Sequence, residues 1–279
     1  MKAFAFQAVS WTVALLLFGL FLALVGPLVW YGGSELSWRY FFDAPSQFGL
    51  AGGIGPVLVS TFLILAVALA LAILPSFATA HFLYFQMNKR HRLGEFILFS
   101  LKLLASIPSV VFGLFGMVVF CEWMGLGFSI LSGAMTLAVM IVPTLCFSIY
   151  SSFLTFPTDV RAAAAGLCLS HWTQTSRLIL PHASKGIAAG MILGVSRSLS
   201  ETAALIFTSG YATRYPRSVF DSGRSLSIHI YEMGLNVTGG NARACAAALV
   251  LLVMLLLINL PIQLAFRSQA RRHKSLVGY

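Results

Sequence analysis

The sequence predicts an all-α polytopic membrane protein, and three observations carry that prediction. Hydrophobic residues fill 58% of the 279 positions and charged residues only 9%, a balance foreign to water-soluble domains. Six apolar runs are each long enough to cross about 30 Å of hydrocarbon as a helix. The basic residues gather on alternate connections between those runs, as the inner loops of membrane proteins do.

The first run, Trp11–Tyr31, is too long for a signal peptide and lacks a small-residue cleavage site after it, so it is read as an anchor that stays. An outer loop, Gly32–Pro56, ends in GGIGP, whose glycines let the backbone turn tightly into span two, Val57–His81. The inner loop Tyr84–Leu93 is short and basic, which suits lipid headgroups. Span three, Phe96–Cys121, carries Pro108 within SIPSVVFGLFG. That proline is expected to bend the helix, with Ser106 and Ser109 placed to satisfy the freed carbonyls. Gly113 and Gly116 offer a small-residue face for close helix approach.

The link Glu122–Phe128 is short, so spans three and four should be neighbours. Span four, Ser129–Phe153, is interrupted by Pro143. Span five is read as Gly186–Tyr211 and span six as Ala244–Phe266. Between them the outer link Ala212–Arg243 contains SLSIHIYEMG, an alternating pattern that fits a short surface element or a segment dipping to the interface. The organisation is then an N-terminal span and loop (1–56), a core of five spans (57–266) and a basic tail (267–279).

The segment Phe156–Gly186 is the most informative stretch. It is too polar to span a membrane yet patterned for helix: Pro157 opens one short helix, Ser170 caps a second and Pro181 ends it. A helical insert of this length in a membrane protein points to a soluble partner.

The net charge of +10 does not point to nucleic acid, because of where the cations fall. Lys2, then Lys89, Arg90 and Arg92, then Arg161, Arg177 and Lys185, then Arg267, Arg271, Arg272 and Lys274 all lie on one side of a six-span topology. The positive-inside rule puts that side, both termini and the insert in the cytoplasm. The other side mixes Arg39, Arg214, Arg217, Arg224 and Arg243 with Glu35, Asp43, Glu122, Asp221 and Glu232. Cys121, Cys146, Cys168 and Cys245 are far apart, without metal-ligand spacing, and read as small packing residues. His229 either touches a substrate or packs within its loop, packing being the ordinary role for such a residue.

Span five carries two charges, Arg197 and Glu201, within GVSRSLSETAALIF. One turn apart on a helix they can pair. Counted from Gly186, Arg197 lies about 16 Å deep at about 1.5 Å per residue, where a charge costs about 2.5–3.5 kcal/mol to insert. Ser196, Ser198, Ser200 and Thr202 surround the pair with hydroxyls. Two readings stay open: a structural ion pair, or an anion pathway in which Glu201 holds Arg197 in one state and the substrate holds it in another. Lys102 lies near enough to the membrane edge to snorkel and is given no role.

The insert resembles the cytoplasmic signature of ABC importer permeases, EAA, three residues, G, nine residues, I-x-LP. The match runs from Ala162 to Pro181, with Ala163 and Ala164 in place and Leu178, Leu180 and Pro181 closing it. Ala162 stands at the glutamate position and Cys168 at the glycine position. GGIGP, IPSVVFGLFG, RSLSETAALIFTSG and SLSIHIYEM together are similar to the PstA-type permeases of phosphate importers, which usually have glycine where Ser200 stands. The resemblance implies a type I, MetI-like permease fold with a coupling helix between spans four and five. It implies a bacterial inner-membrane location, a PstC-like sister permease, two PstB-like ATPases and an outer phosphate-binding protein. It also assigns Arg197, Glu201, Ser200 and Thr202 to the substrate path and Ala162, Ala163, Ala164, Cys168, Leu180 and Pro181 to ATPase coupling, with Pro108 and Pro143 as kinks.

No Gly-x-x-x-x-Gly-Lys-Ser/Thr loop is present, so ATP is expected on the partner, with no catalytic residue, metal or cofactor of the chain's own. The alternatives are a permease for another oxyanion or a phosphonate, and a secondary transporter, which would carry more intramembrane charge or inverted repeats. A membrane enzyme would need clustered His, Asp or Glu, which the sequence lacks.

Overall fold

A computed structural model describes residues 2–86 and 92–276. The basic loop expected around Lys89 and Arg90 lies outside the described residues. Long apolar segments form helices because each backbone group must find its partner within the segment once water is gone. They are α1 (Lys2–Gly32), α3 (Gly55–Gln86), α6 (Ile130–Leu154), α8 (His171–Leu199) and α11 (Asn241–Leu276). The short elements are α2 (Trp38–Phe42), the two-residue strands β1 (Pro45–Ser46) and β2 (Ala51–Gly52), α7 (Thr158–Gly166), α9 (Ala203–Ile206) and α10 (Leu226–Leu235). Five helices are long and apolar enough to cross a membrane. A sixth span exists if α4 (Arg92–Ser106) and α5 (Ser109–Trp123) count as one.

Span α6 is the axis of the fold. It packs along α3 on one side and along α8 on the other, and contributes Leu137, Ile141 and Leu145 to a central cluster with Ile64, Ala68, Phe112 and Leu205. At the insert end a second cluster joins Leu83, Tyr84, Ile149, Phe153 and Ile179. At the opposite end, Tyr40, Ile54, Leu226 and Ala246 form a third. The anchor α1 packs chiefly on α11, and most of its apolar surface faces outward. Gly52, with φ +79°, and Gly53 make the expected tight corner, and a side chain on either would run into the backbone of Ala44 or Tyr40.

Four expectations are corrected. Pro108 does more than bend span three: its extended backbone (φ −61°, ψ 143°) separates α4 from α5, and the two axes differ by 97°. Ser106 Oγ does donate to a freed carbonyl, Leu103 O, at 2.7 Å. Pro143 does not interrupt span four; it lies inside the continuous α6. There Ser76 Oγ, from the adjacent α3, reaches the Val142 carbonyl at 3.3 Å. Pro181 does not end a helix either. A π turn at Thr175–Ile179 loosens the hydrogen-bond ladder just before it, so a residue without an N–H is accommodated, and α8 continues to Leu199. Span five therefore begins at His171 rather than Gly186 and stops short of Tyr211. The alternating SLSIHIYEMG segment forms helix α10, with Leu226, Ile228, His229 and Met233 buried.

Candidate functional site

Helix α8 is seated on α6 by small residues one turn apart. A Cβ at Gly186 would collide with Ser152, and one at Gly190 with Ser148, while Gly194 abuts Ile141 and Leu145. Such a repeat lets two helices approach to backbone contact. Ser148 Oγ donates to Gly186 O at 3.2 Å across the seam. The four-residue spacing of Gly186, Gly190 and Gly194 is the sequence signal of this seam.

This register fixes the depth of Arg197. It lies between Gly194, level with Ile141, and Ser198, which shares a small polar–apolar recess with Leu137 and Thr61. Leu137 to Ile141 is about 10–16 Å along α6 from its Ile130 end at about 1.5 Å per residue, so Arg197 lies well inside the length of that span. The predicted partner is not there. Helix α8 ends at Leu199, so Arg197 and Glu201 do not share a helix face, and no ion pair joins them among the described residues. Arg197 is exposed with Leu193 and Ser200 along one open stripe of α8. Neighbouring Ser196 accepts from Asn259 Nδ2 at 2.9 Å, which ties α8 to α11 beside the arginine.

Beyond Leu199 the chain breaks at Ser200–Thr202 before α9. Ser227 Oγ donates to the Glu201 carbonyl at 2.7 Å and contacts Ser225 Oγ at 2.9 Å, while Thr61 Oγ1 accepts the Leu226 N–H at 2.8 Å. Of these hydroxyls, Ser227 satisfies the backbone that has left its helix, while Thr61 holds the first turn of α10 beside it. Glu201 and Thr202 are half-buried, and Ser200 Oγ bonds the Ser196 carbonyl at 3.1 Å. Ser200 has φ −85°, so the backbone there places no demand for glycine. On the other side of the break, Gly113 and Gly116 of α5 lie against Ala204, Phe207 and Thr208, the close approach expected of them.

At the insert end, Pro157 precedes α7 and Ser170 Oγ accepts the Thr173 N–H at 3.2 Å, as the sequence indicated. Cys168 follows α7 with φ +52°, in the left-handed region, and its thiol is exposed rather than packed. That conformation gives the physical reason for a glycine at this place. Aromatic contacts pin the insert to the end of α3: Arg161 lies 4.7 Å from the Tyr84 ring centroid, and His171 stacks on Phe85 at 4.2 Å. Ala164 is buried beneath, whereas Ala162, Ala163, Leu180 and Pro181 are open, next to the exposed Val160, Leu167 and Trp172. An exposed apolar surface of this kind, on an otherwise polar insert, is suited to a protein partner.

Residues 76–275 match the family described as "Binding-protein-dependent transport system inner membrane component". Among curated proteins, the chain is 27% identical over 263 residues to the probable ABC transporter permease protein YqgI of Bacillus subtilis, covering 89% of this chain and 88% of that one. It is 30% identical over 239 residues to the phosphate transport system permease protein PstA of Mycobacterium leprae, covering 83% and 75%. It is 27% identical over 284 residues to the corresponding PstC protein of Haemophilus influenzae, covering 90% and 88%. Among solved structures, a bacterial alginate ABC transporter superposes with a TM-score of 0.61 at 15% identity over 92% of this chain and 91% of that one. The MetNI methionine transporter superposes with a TM-score of 0.60 at 14% identity over 76% and 95%. These likenesses show the MetI-like fold of type I importer permeases.

Proposed function

Because the chain belongs to the family of binding-protein-dependent transport system inner membrane components, we propose that it forms half of the pathway of an ATP-driven phosphate importer. It is a multi-pass permease subunit of an ABC importer, not an enzyme, and ATP hydrolysis belongs to the partner ATPase. The phosphate reading is supported by the likeness to permeases named for phosphate transport and by one observation above all. Arg197 lies well inside the length of the neighbouring span, on an exposed stripe, with no partner among the described residues. A cation left so needs either a second protein surface or an anion.

On this reading a PstC-like permease covers the stripe, and the path runs between the two subunits past Arg197, Ser200, Glu201 and Thr202. Of two PstB-like ATPases in the complex, one holds the Ala162–Pro181 region in a groove, beside the exposed Val160, Leu167 and Trp172, with the termini on the same cytoplasmic side. A phosphate-binding protein delivers from the other side of a bacterial inner membrane. Access alternates as the ATPases close. Arg197 holds the anion transiently, since tight binding would stall release.

The test is ATP-dependent uptake of labelled phosphate into proteoliposomes holding the full complex, compared with Arg197→Gln. Uptake that unlabelled phosphate competes away, that molybdate and a phosphonate do not, and that the variant loses supports the reading. An assembled complex that hydrolyses ATP but takes up no phosphate sinks it.

A further inference from the structure

A second charged site lies at the end of the bundle opposite the insert. The β1–β2 hairpin, the segment after Tyr211 and helix α10 enclose a cavity of about 420 Å³ whose polar lining includes Ser46, Gln47, Thr213, Arg224, Glu232 and Asn236. Its two charges are both half-buried, and they are not joined to each other by an ion pair among the described residues. Each is instead held by one neutral group. Arg224 Nε donates to the Tyr211 carbonyl at 3.1 Å, and Glu232 Oε1 accepts from Asn236 Nδ2 at 3.0 Å. The Nη groups of Arg224 and the second carboxylate oxygen of Glu232 have no partner among the described residues.

Two other arginines at this end do have carboxylate partners. Arg243 meets Glu35 at 2.9 Å, and Arg214 lies 3.9 Å from Asp221. Burial pushes the Arg224 guanidinium below its usual range, with Glu232 opposing that shift from a distance, so the cation is desolvated without a close counter-ion. Beneath it, burial and then the Arg224 charge push His229 down to about 4, so that imidazole adds no second positive charge at neutral pH.

A cation and a carboxylate facing one cavity without pairing read a particular ligand. A guanidinium fork donates to the oxygens of a tetrahedral oxyanion. An ionised carboxylate only accepts, so it rewards an oxyanion that carries a proton and repels one that does not. Hydrogen phosphate carries that proton at neutral pH, and sulfate does not. We propose that Arg224 and Glu232 form a receiving site for a proton-bearing tetrahedral oxyanion, inorganic hydrogen phosphate, with Arg224 holding its oxygens and Glu232 accepting its O–H. On the orientation proposed above, the site faces the side from which substrate is delivered, a separate station before Arg197. The choice of phosphate rests on the proposed function; the geometry of the site does not.

The experiment is equilibrium binding of labelled inorganic phosphate to the permease–ATPase complex in nanodiscs, without the binding protein and in an Arg197→Gln background that removes the deeper cation. Saturable binding that sulfate fails to displace is the expected result. Arg224→Gln weakens it about tenfold or more, with Arg224→Lys between, as the loss of a charged donor pair requires. Glu232→Gln lets sulfate compete within about threefold of phosphate. The idea is overturned if the Arg197→Gln complex binds no phosphate, if sulfate competes equally at the unaltered site, or if Arg224→Gln binds as before in an assembled complex. It is equally overturned if 2-aminoethylphosphonate binds about tenfold tighter than phosphate, since Glu232 would then be reading an ammonium. Absence of phosphate uptake by the complex with Arg197 intact counts against the proposed function, whereas this binding assay reads the outer site alone.

Discussion

The seam between α6 and α8 makes the strongest claim about how the fold is held, and Gly190→Ala tests it. The added methyl would fall inside contact distance of both Oγ and Cβ of Ser148. Rotating the Ser148 hydroxyl away does not relieve the clash, because Cβ is fixed by the backbone. The helices must separate, at about 1–3 kcal/mol for overpacking, and the Ser148–Gly186 bond of 3.2 Å is lost with about 1 kcal/mol more. Alanine returns about 1 kcal/mol of helix propensity, leaving a net loss of about 1–3 kcal/mol. At about 2–4 °C per kcal/mol for a chain of this class, thermal melting of the purified complex should fall by several degrees. Ser148→Gly in the same chain removes both offending atoms. The next nearest atom, Ser148 Cα, then lies at 3.8 Å, ordinary contact, so the double variant should show a favourable coupling of about 1–3 kcal/mol. Gly26→Ala in α1, with nothing within 4 Å of its new methyl, is the control and should not lower the melting temperature. If Gly190→Ala melts with the unaltered complex, or Ser148→Gly shows no coupling to it, the seam does not hold these spans together.

Cys168→Gly should stabilise the insert by about 1 kcal/mol, since the residue has φ +52° and its side chain is exposed; protease resistance of the insert in the assembled complex measures this. His229, whose pKa burial pushes down to about 4, is held neutral in the fold, while an unfolded histidine titrates near its ordinary 6.5. The unfolded state therefore binds the extra proton. The contribution to stability is complete above about pH 6.5 and is lost as pH falls towards about 4, at about 1.4 kcal/mol per unit. Melting temperatures at pH 7 and pH 5 should diverge in the native chain, and less so in His229→Phe.

What the sequence made legible was the set of long segments whose lengths are dictated by the bilayer, and the caps and openings dictated by single residues. Pro157, Ser170 and the GGIGP corner behave as local chemistry says. The count to Arg197 starts from Gly186, which abuts Ser152 near the end of α6. The misreadings have one origin: each proline was judged by its own segment. Whether a proline breaks a helix depends on its surroundings: Pro108, with extended backbone, separates α4 from α5, Pro143 stays inside the continuous α6, and Pro181 follows a π turn. The Arg197–Glu201 pairing depends likewise on surroundings, since the helix ends at Leu199 and the Glu201 carbonyl beyond it is held by the Ser227 hydroxyl of α10.

These features together place the moving part of the proposed cycle. From His171 to Arg197 is 26 positions on one helix, about 39 Å of rod at about 1.5 Å per residue. Its insert end is clamped to α3 by His171 on Phe85, and its middle is locked to α6 by the glycine seam. A push on the insert would reach α3 and α6 as well as α8, with the π turn at Thr175–Ile179 as a loosened stretch between the clamp and the seam. Continuity is lost at Ser200–Thr202, where the link to α10 is the hydroxyl bond from Ser227. A net side-chain hydrogen bond is worth about 0.5–1.5 kcal/mol, so the break itself is lightly held, between the packed seam and the buried Ala204 and Leu205 that follow it. Arg197 lies one turn before it, on the surface that a second permease would cover. The cation is then positioned to change its surroundings when the break opens, without any change within its own helix.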